Sequence, residues 1–455
     1  MKSKLAMLGG PKSFVGKLHS SVVIDKKEYD LVKEVLDSRQ FSRFMGGGNI
    51  SDQVNLTSKE AKNIGDDSYF SFLGGKMIRR FESDISDYFG VDYSITANSA
   101  TSALSMAFGA LSIGPGDEVI SPCMSWTSSS TSILTFNSIP VFVDVCPRTF
   151  CIDPKKIEQA ITKRTKAILV VHLLGRSADM DSIMRIAKKY KLKVIEDCAQ
   201  SPGTMYKKKL VGTIGDAGIL SLQETKNFQT GEGGVVITND VDLARRARLI
   251  RNHGEVYPDE STSQEELINL IGHNFRMTEL TAAMGIAQLK KLEKNNSIRK
   301  RNSEYVSEGL VNLKGLRPHK FKNHEVPHIL SFSYSEREVG VPRSVIISAI
   351  QAEGVPVGSG YSRLMSENIL YTKKIAYGSK GSPWTDVSKQ YQPPEFNHPV
   401  AKRLTYNEFI WFYAINRPNG IKEMDKVINT FKKVWSNLDD LVDVEEEKVT
   451  RRYKW

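Results

Sequence analysis

Between about residues 90 and 240, short apolar runs rich in Val and Ile alternate with longer segments of helical period, the pattern of a parallel sheet joined by crossover helices. The predicted strands run from Tyr93 to Ala97, Glu118 to Pro122, Pro140 to Val145, Ala167 to Leu174, Lys193 to Asp197, Ala217 to Ser221 and Gly234 to Thr238. Several end in polar residues. Ligands of open α/β sheets collect beyond the carboxyl ends of strands, so Asn98, Ser99, Ser125, Trp126, Asp197 and Ser221 are expected around one crevice. A second pattern starts with one long helix expected from Thr278 to Leu310. A strand from His328 to Tyr334 follows, then a helix from Pro342 to Ala352 and an amphipathic helix from Ile421 to Leu438.

These patterns predict an α/β chain with a large domain over residues 1–295, a smaller C-terminal α+β domain over 296–440 and a charged tail over 441–455. Two stretches interrupt the periodicity, an insertion at about 44–75 and a second at 371–394, both rich in Gly and Ser. Loops this long either cover a site or run over the surface, and the composition fits both.

Composition narrows the class without choosing the chemistry. At 455 residues, 40% of them hydrophobic, the chain can bury large cores, and no apolar run reaches the roughly 20 residues that span a bilayer. Gly9-Gly10-Pro11 interrupts the opening apolar stretch too early for a signal peptide, so the expectation is a cytoplasmic protein with no membrane partner. The formal charge of +11 suits a phosphorylated cofactor and an anionic substrate; no recognition module accompanies it, and no nucleic-acid partner is expected. Cys123, Cys146, Cys151 and Cys198 lack metal-type spacing and read as reduced thiols, and the histidines imply no metal.

The candidate chemistry centres on Lys226. Ser221-Leu222-Gln223-Glu224-Thr225-Lys226 lies between an apolar strand and the turn Gly231-Glu232-Gly233-Gly234, which sets a lysine at a strand's end. A lysine made less basic by burial is a nucleophile toward aldehydes and the type that carries pyridoxal phosphate. That cofactor also needs a carboxylate beside its ring nitrogen, phosphate donors and a flat group over the ring. Asp197, closing Val194-Ile195-Glu196, is the carboxylate candidate, and a turn or cap aspartate would read the same way. Asn98-Ser99-Ala100-Thr101-Ser102 opens a helix whose N-terminus suits an anion, although such residues cap helices everywhere. Trp126 is of a type to stack or to pack in a core, and Ser221 and Gln223 are of types that reach phosphate or the ring's oxygen or simply line a loop. His172 reads as a satisfied histidine in a strand.

Taken together, five motifs resemble the DegT/DnrJ/EryC1/StrS sugar aminotransferases, pyridoxal phosphate enzymes of fold type I, over residues 5–440. They are Ser99-Ala100-Thr101-Ser102-Ala103-Leu104, Gly114-Pro115-Gly116-Asp117-Glu118-Val119, Val194-Ile195-Glu196-Asp197-Cys198-Ala199-Gln200, the stretch from Ser221 to Gly234, and Gly272-His273-Asn274-Phe275-Arg276-Met277-Thr278-Glu279. The resemblance implies a three-layer αβα large domain in which Lys226 is the imine-forming acid/base and Asp197 pairs with the pyridinium. It implies Gln200 beside the ring, Trp126 stacked on it, and Ser221, Ala100 and Thr101 on the phosphate. Gln223 holds a position that is His or Gln in the family. Asn274 would reach the phosphate of the partner subunit, implying a homodimer with shared sites. Ala100 departs from the family's usual Gly, and the 44–75 stretch is longer than in most relatives. Leu8-Gly9-Gly10-Pro11, the Gln223 to Lys226 spacing and Ser382-Pro383-Trp384 are similar to the branch of scyllo-inosose aminotransferases and aminohydroxybenzoate synthase. The implied reaction moves an amino group from glutamate or glutamine to a ketone of a sugar or cyclitol. The alternatives are a sugar dehydratase, a branch in which histidine replaces the lysine, and a non-catalytic regulatory protein on the same fold.

Overall fold

The computed structural model describes residues 3–19, 22–44, 55–64, 72–254, 270–378 and 380–444. Its principal sheet has seven strands: β1 (Tyr93–Ala97), β2 (Glu118–Pro122), β3 (Ile139–Val143), β4 (Thr165–Val171), β5 (Lys193–Asp197), β6 (Ala217–Ser221) and β7 (Gly234–Thr238). They lie in the order β1-β7-β6-β5-β4-β2-β3. The third and fourth strands start and end earlier than predicted, and the fourth ends early because Leu173–Gly175 turns into a short 3-10 helix. A wholly parallel sheet was expected, and the structure corrects this: β7 runs antiparallel to both β1 and β6. The cause is local. The link from β6 to β7 contains no crossover helix, and Leu222 N–H donates to the Gly233 carbonyl while Glu224 N–H donates to that of Gly231, continuing a hairpin.

Alternation along the strands builds three layers. Ile219 and Val236 face one apolar cluster, with the Ala100–Ala110 and Met180–Tyr190 helices. Leu220, Val235 and Ile237 face the other, with the Lys76–Phe89 and Glu279–Leu289 helices. Helices thus cover both faces, giving the αβα architecture.

A second, antiparallel sheet comprises β8 (Leu316–Pro318), β9 (Leu330–Tyr334), β10 (Val357–Gly358) and β11 (Phe409–Phe412), in the order β8-β9-β11-β10. It packs with the Arg343–Ala352 and Ile421–Ser436 helices into its own apolar cluster, which also takes in Leu5 and Phe14 from the start of the chain. The single helix expected from Thr278 to Leu310 is two helices, Glu279–Leu289 and Leu292–Leu310. At the break, Lys291 reaches Glu28 at 2.7 Å and Asp25 at 2.8 Å.

Of the 44–75 insertion, residues 45–54 and 65–71 lie outside the described part. Its helix Ser58–Lys62 is capped reciprocally by Thr57 and Glu60, and Ala61, Phe72 and Leu73 pack with Leu249. The 371–394 stretch is pinned to the large sheet's edge. Trp384 is buried, Tyr371 donates to Ser130 Oγ at 2.7 Å, and the Tyr377 and Tyr391 phenols bond the Leu134 carbonyl and Glu118. Among the described residues no helix is long and apolar enough to cross a membrane.

Beneath β1, Glu82 Oε1 accepts from Arg251 Nη1 at 2.7 Å and from the Thr96 amide and hydroxyl, each at 2.8 Å. All three residues are fully buried. Removing one member leaves an uncompensated buried charge, so Glu82→Ala should cost about 3–5 kcal/mol of stability in denaturant titration; a loss near zero would show that the pair is dispensable.

Candidate active site

Strands β5 and β6 are parallel neighbours, with Asp197 opposite Ile219. Asp197 closes β5, and two residues beyond Ile219 the chain leaves β6 at Ser221 and turns so that the Lys226 amide donates to the Gln223 carbonyl at 2.9 Å. The two side chains therefore project past the same sheet edge. Burial raises the Asp197 carboxyl above its ordinary pKa, against the opposing pull of the Ala199 amide, Ser129 and Lys226. Burial also lowers the Lys226 ammonium, opposed by attraction to Asp197 and Glu232. The Lys226 amine makes no hydrogen bond or ion pair with a described residue.

Asp197 is held firmly. Its Oδ1 accepts from the Ala199 amide at 3.0 Å and its Oδ2 from Ser129 Oγ at 3.0 Å, and Ser129 in turn bonds Ser125 Oγ at 2.8 Å. Trp126 directly precedes the same Thr127–Leu134 helix and is 66% exposed, which removes the core-packing reading and leaves its ring free to cover a ligand. Gln200 is also fixed: Oε1 accepts from the Leu174 amide at 2.8 Å and Nε2 donates to Tyr361 Oη at 3.0 Å. Gln223 turns its Oε1 back on the Thr225 amide and hydroxyl.

The third part of the site is a helix N-terminus. Gly234 pairs with both Ala97 and Ser221, which gathers the ends of β1 and β6 around the start of β7. A Cβ on Gly234 would stand 2.4 Å from the Ser99 carbonyl and 2.5 Å from Ala100 N, so only glycine lets the Ala100–Ala110 helix begin here. Ser99 caps it through the Ser102 amide at 3.1 Å. The first-turn amides of Ala100 and Thr101 have no acceptor among the described residues, and they open toward the Ser221 end of the sheet. Asn274 is exposed beside them: its carbonyl accepts from Asn98 Nδ2 at 3.4 Å, and the Asn98 amide donates to the Phe275 carbonyl at 2.8 Å.

Sequence reasoning missed Ser129, Tyr361 and the buried relay next to Lys226. In that relay Asn227 Nδ2 donates to Asn296 Oδ1 at 3.1 Å and Asn227 Oδ1 meets His328 Nδ1 at 3.1 Å. Burial, with Lys226 and Arg299 nearby, pushes the His328 pKa well down and keeps the ring neutral. Nothing in the sequence signals these contacts, since each joins common residue types far apart in the chain. His172 is fully buried, bonds Glu196 through Nε2 at 2.9 Å and accepts the Ala178 amide at Nδ1, which is a structural arrangement. Cys123, Asp144 and His398 bring ligand-type atoms within 4.8 Å of one another, and the Asp144 carboxylate is engaged by the amides of Val145, Val400 and Ala401.

Residues 56–409 match the DegT/DnrJ/EryC1/StrS aminotransferase family. The chain belongs to that family. It is 37% identical over 354 residues to an L-glutamine:2-deoxy-scyllo-inosose aminotransferase of Streptoalloteichus tenebrarius, covering 74% of this chain and 81% of the relative. Against the enzyme of that name from Streptomyces fradiae it is 36% identical, covering 80% and 87%. Among solved structures, an aminotransferase from Psychrobacter cryohalolentis superposes with a TM-score of 0.74 at 28% identity, over 93% of this chain and all of the other. The structure of 3-amino-5-hydroxybenzoic acid synthase gives 0.73 at 20% identity over 93% and 99%, a likeness of fold. The protein is a pyridoxal phosphate-dependent aminotransferase of fold type I.

The residues fit that cofactor. Asp197 is a buried carboxylate short of a cation, which a protonated ring nitrogen supplies. Free amides at a helix N-terminus suit a phosphate, and a desolvated amine suits an aldehyde.

Two expectations follow. Ser129→Ala removes one donor to the Asp197 carboxyl and should weaken cofactor affinity about 10-fold in fluorescence titration of the apoprotein; an unchanged affinity would detach Ser129 from the site. Covalent uptake of the cofactor requires neutral Lys226, so its rate should climb with pH and level off below the roughly 10.4 of a free lysine. A rate still rising through pH 10.4 would contradict the lowered pKa.

Proposed function

We propose that this enzyme transfers the amino group of L-glutamine, or of glutamate, to the ketone of a cyclitol or sugar. The observation that carries the site assignment is the placement of Lys226 and Asp197 past one sheet edge, both withdrawn from water and beside an open helix N-terminus. The names of the relatives support the substrates: several are glutamine:inosose aminotransferases, and a GDP-perosamine synthase of Caulobacter vibrioides is 41% identical over 239 residues.

When bound, pyridoxal phosphate supplies an electron sink that makes the bond between nitrogen and carbon exchangeable. The chain's own residues do the rest. Lys226 would hold the cofactor through its Nζ, and the same amine, when free, would act as the acid and base that takes and returns a proton at the donor's α-carbon. Asp197, supported by Ser129 at Oδ2, would keep the ring nitrogen protonated. The Ala100 and Thr101 amides with the Ser221 hydroxyl would hold the phosphate. Trp126 would cover the ring, Gln223 would offer its side-chain amide toward the ring's substituents, and Gln200, held by the Leu174 amide and Tyr361, would stand beside it. Asn274, exposed beside the helix N-terminus, suits a contact with a second copy of the chain, so the working form in this reading is a homodimer with shared sites.

Lys226 also favours amine transfer over dehydration, because the dehydratase branch carries histidine at this position. Lys226→Ala and Lys226→Arg should both lose the visible absorbance of lysine-bound cofactor and lower transamination at least about 1,000-fold. Glutamine alone should convert the wild-type cofactor to its amine form, which a keto-cyclitol or nucleotide-linked ketosugar then reverses. Normal activity in Lys226→Ala would end this reading, and a colourless protein that refuses the cofactor would favour a non-catalytic role.

A further inference from the structure

One residue that enters the site from the second sheet carries a proton with no recipient. After β10 the chain turns at Gly360, where φ is +84° and a Cβ would lie 2.7 Å from the Trp411 indole. This tight passage beneath Trp411 sets Tyr361 edge-on to that ring, with centroids 5.0 Å apart. Tyr361 Oη accepts from Gln200 Nε2 at 3.0 Å. The direction of that bond is fixed: Gln200 Oε1 is engaged by the Leu174 amide at 2.8 Å, so the Gln200 amide cannot flip and must donate to the phenol. Tyr361 therefore keeps its own hydrogen to give away.

Burial raises the phenol's pKa above its free value, so that hydrogen is present at any working pH. Among the described residues no acceptor takes it. Tyr361 is half-buried, whereas the neighbouring Trp411 is 3% exposed and its buried Nε1–H has no partner among the described residues. A buried donor left unmade is costly. Gln200 follows the end of β5 by three residues, so its 3.0 Å bond holds the phenol at the Asp197 end of the crevice.

We infer that the Tyr361 hydroxyl, backed by Trp411, donates a hydrogen bond to an oxygen of the amino acceptor, and so positions a polyol ketone over the cofactor site. The inference rests on the transaminase reading above and names a residue for its second substrate. A neutral donor on an aromatic surface suits the hydroxyl and carbonyl oxygens of a cyclitol or sugar, whereas a donor amino acid's carboxylate is served best by cations.

The test is Tyr361→Phe in the holoenzyme, which keeps the ring and its packing on Trp411. With the keto-polyol that wild type converts, 2-deoxy-scyllo-inosose being the first to try, KM for the acceptor should rise at least about 10-fold. KM for glutamine should move less than about 3-fold. Calorimetric titration with scyllo-inositol, which lacks a ketone and cannot react, should show the same weakening. Equal acceptor KM and equal inositol affinity in the two proteins overturn the inference, as does a wild type that does not bind the inositol. A variant that loses lysine-bound cofactor absorbance also overturns it, by assigning Tyr361 to holding Gln200. Failure of the transaminase reading looks different: wild type itself would not respond to glutamine.

Discussion

The site depends on desolvation at the ends of two adjacent parallel strands. An amine and a carboxylate set side by side in water would both ionise and neutralise each other at little energetic consequence. Past the edge of β5 and β6, burial penalises both charges, raising Asp197 and lowering Lys226, and their mutual attraction offsets only part of that cost. The pair is therefore left with unmet chemistry: a carboxylate in need of a cation and an amine ready to lose its proton. A ligand presenting a ring nitrogen at one end and an aldehyde at the other meets both needs, and this links the αβα sheet to its cofactor.

The reversal of β7 serves the same geometry. Its antiparallel run returns the chain from the lysine loop into the sheet beside β1, and Gly234 lets the opening of the Ala100–Ala110 helix lie directly against it. A parallel strand reached through a crossover helix would have entered from the opposite end. The free amides of Ala100 and Thr101 would then stand apart from the β6 loop that carries Lys226. The start of the Ala100–Ala110 helix and the loop carrying Lys226 meet at one end of the sheet because this one strand runs backward.

Much of this was legible in the chain. Strand positions followed from clustering of Val and Ile, since a sheet buried on both faces leaves continuous apolar runs, and Asp197, Ser99 and Lys226 stood out as polar residues at their ends. Strand direction was not legible, because an apolar run reads alike both ways and only the hairpin bonds around Leu222 and Gly233 fix it. Nor was the break at Lys291, where ion pairs to Glu28 and Asp25 override a helical period that runs on unbroken. Ser129 and Tyr361 bond partners 68 and 161 residues away, and a serine in a Ser/Thr-rich segment or one tyrosine among 16 carries no mark of such a contact.

The two sheets also divide the chemistry. Every residue assigned to the cofactor comes from the ends of the seven-stranded sheet or from the Asn274 segment beside it, whereas Tyr361 and Trp411 come from β10, β11 and the turn between β10 and the pinned 371–394 stretch. The Asn227, His328 and Asn296 contacts tie the residue next to Lys226 to the approach to β9 and to the Leu292–Leu310 helix, so the second sheet is registered against the lysine loop by buried hydrogen bonds. A cofactor cradle of backbone amides and strand ends tolerates little change, because it is built from main-chain geometry. The Tyr361 and Trp411 pair is a contact of side chains, which substitution can alter without moving a strand. Selectivity for the acceptor can thus change through residues such as Tyr361 while the Lys226 and Asp197 arrangement stays as it is.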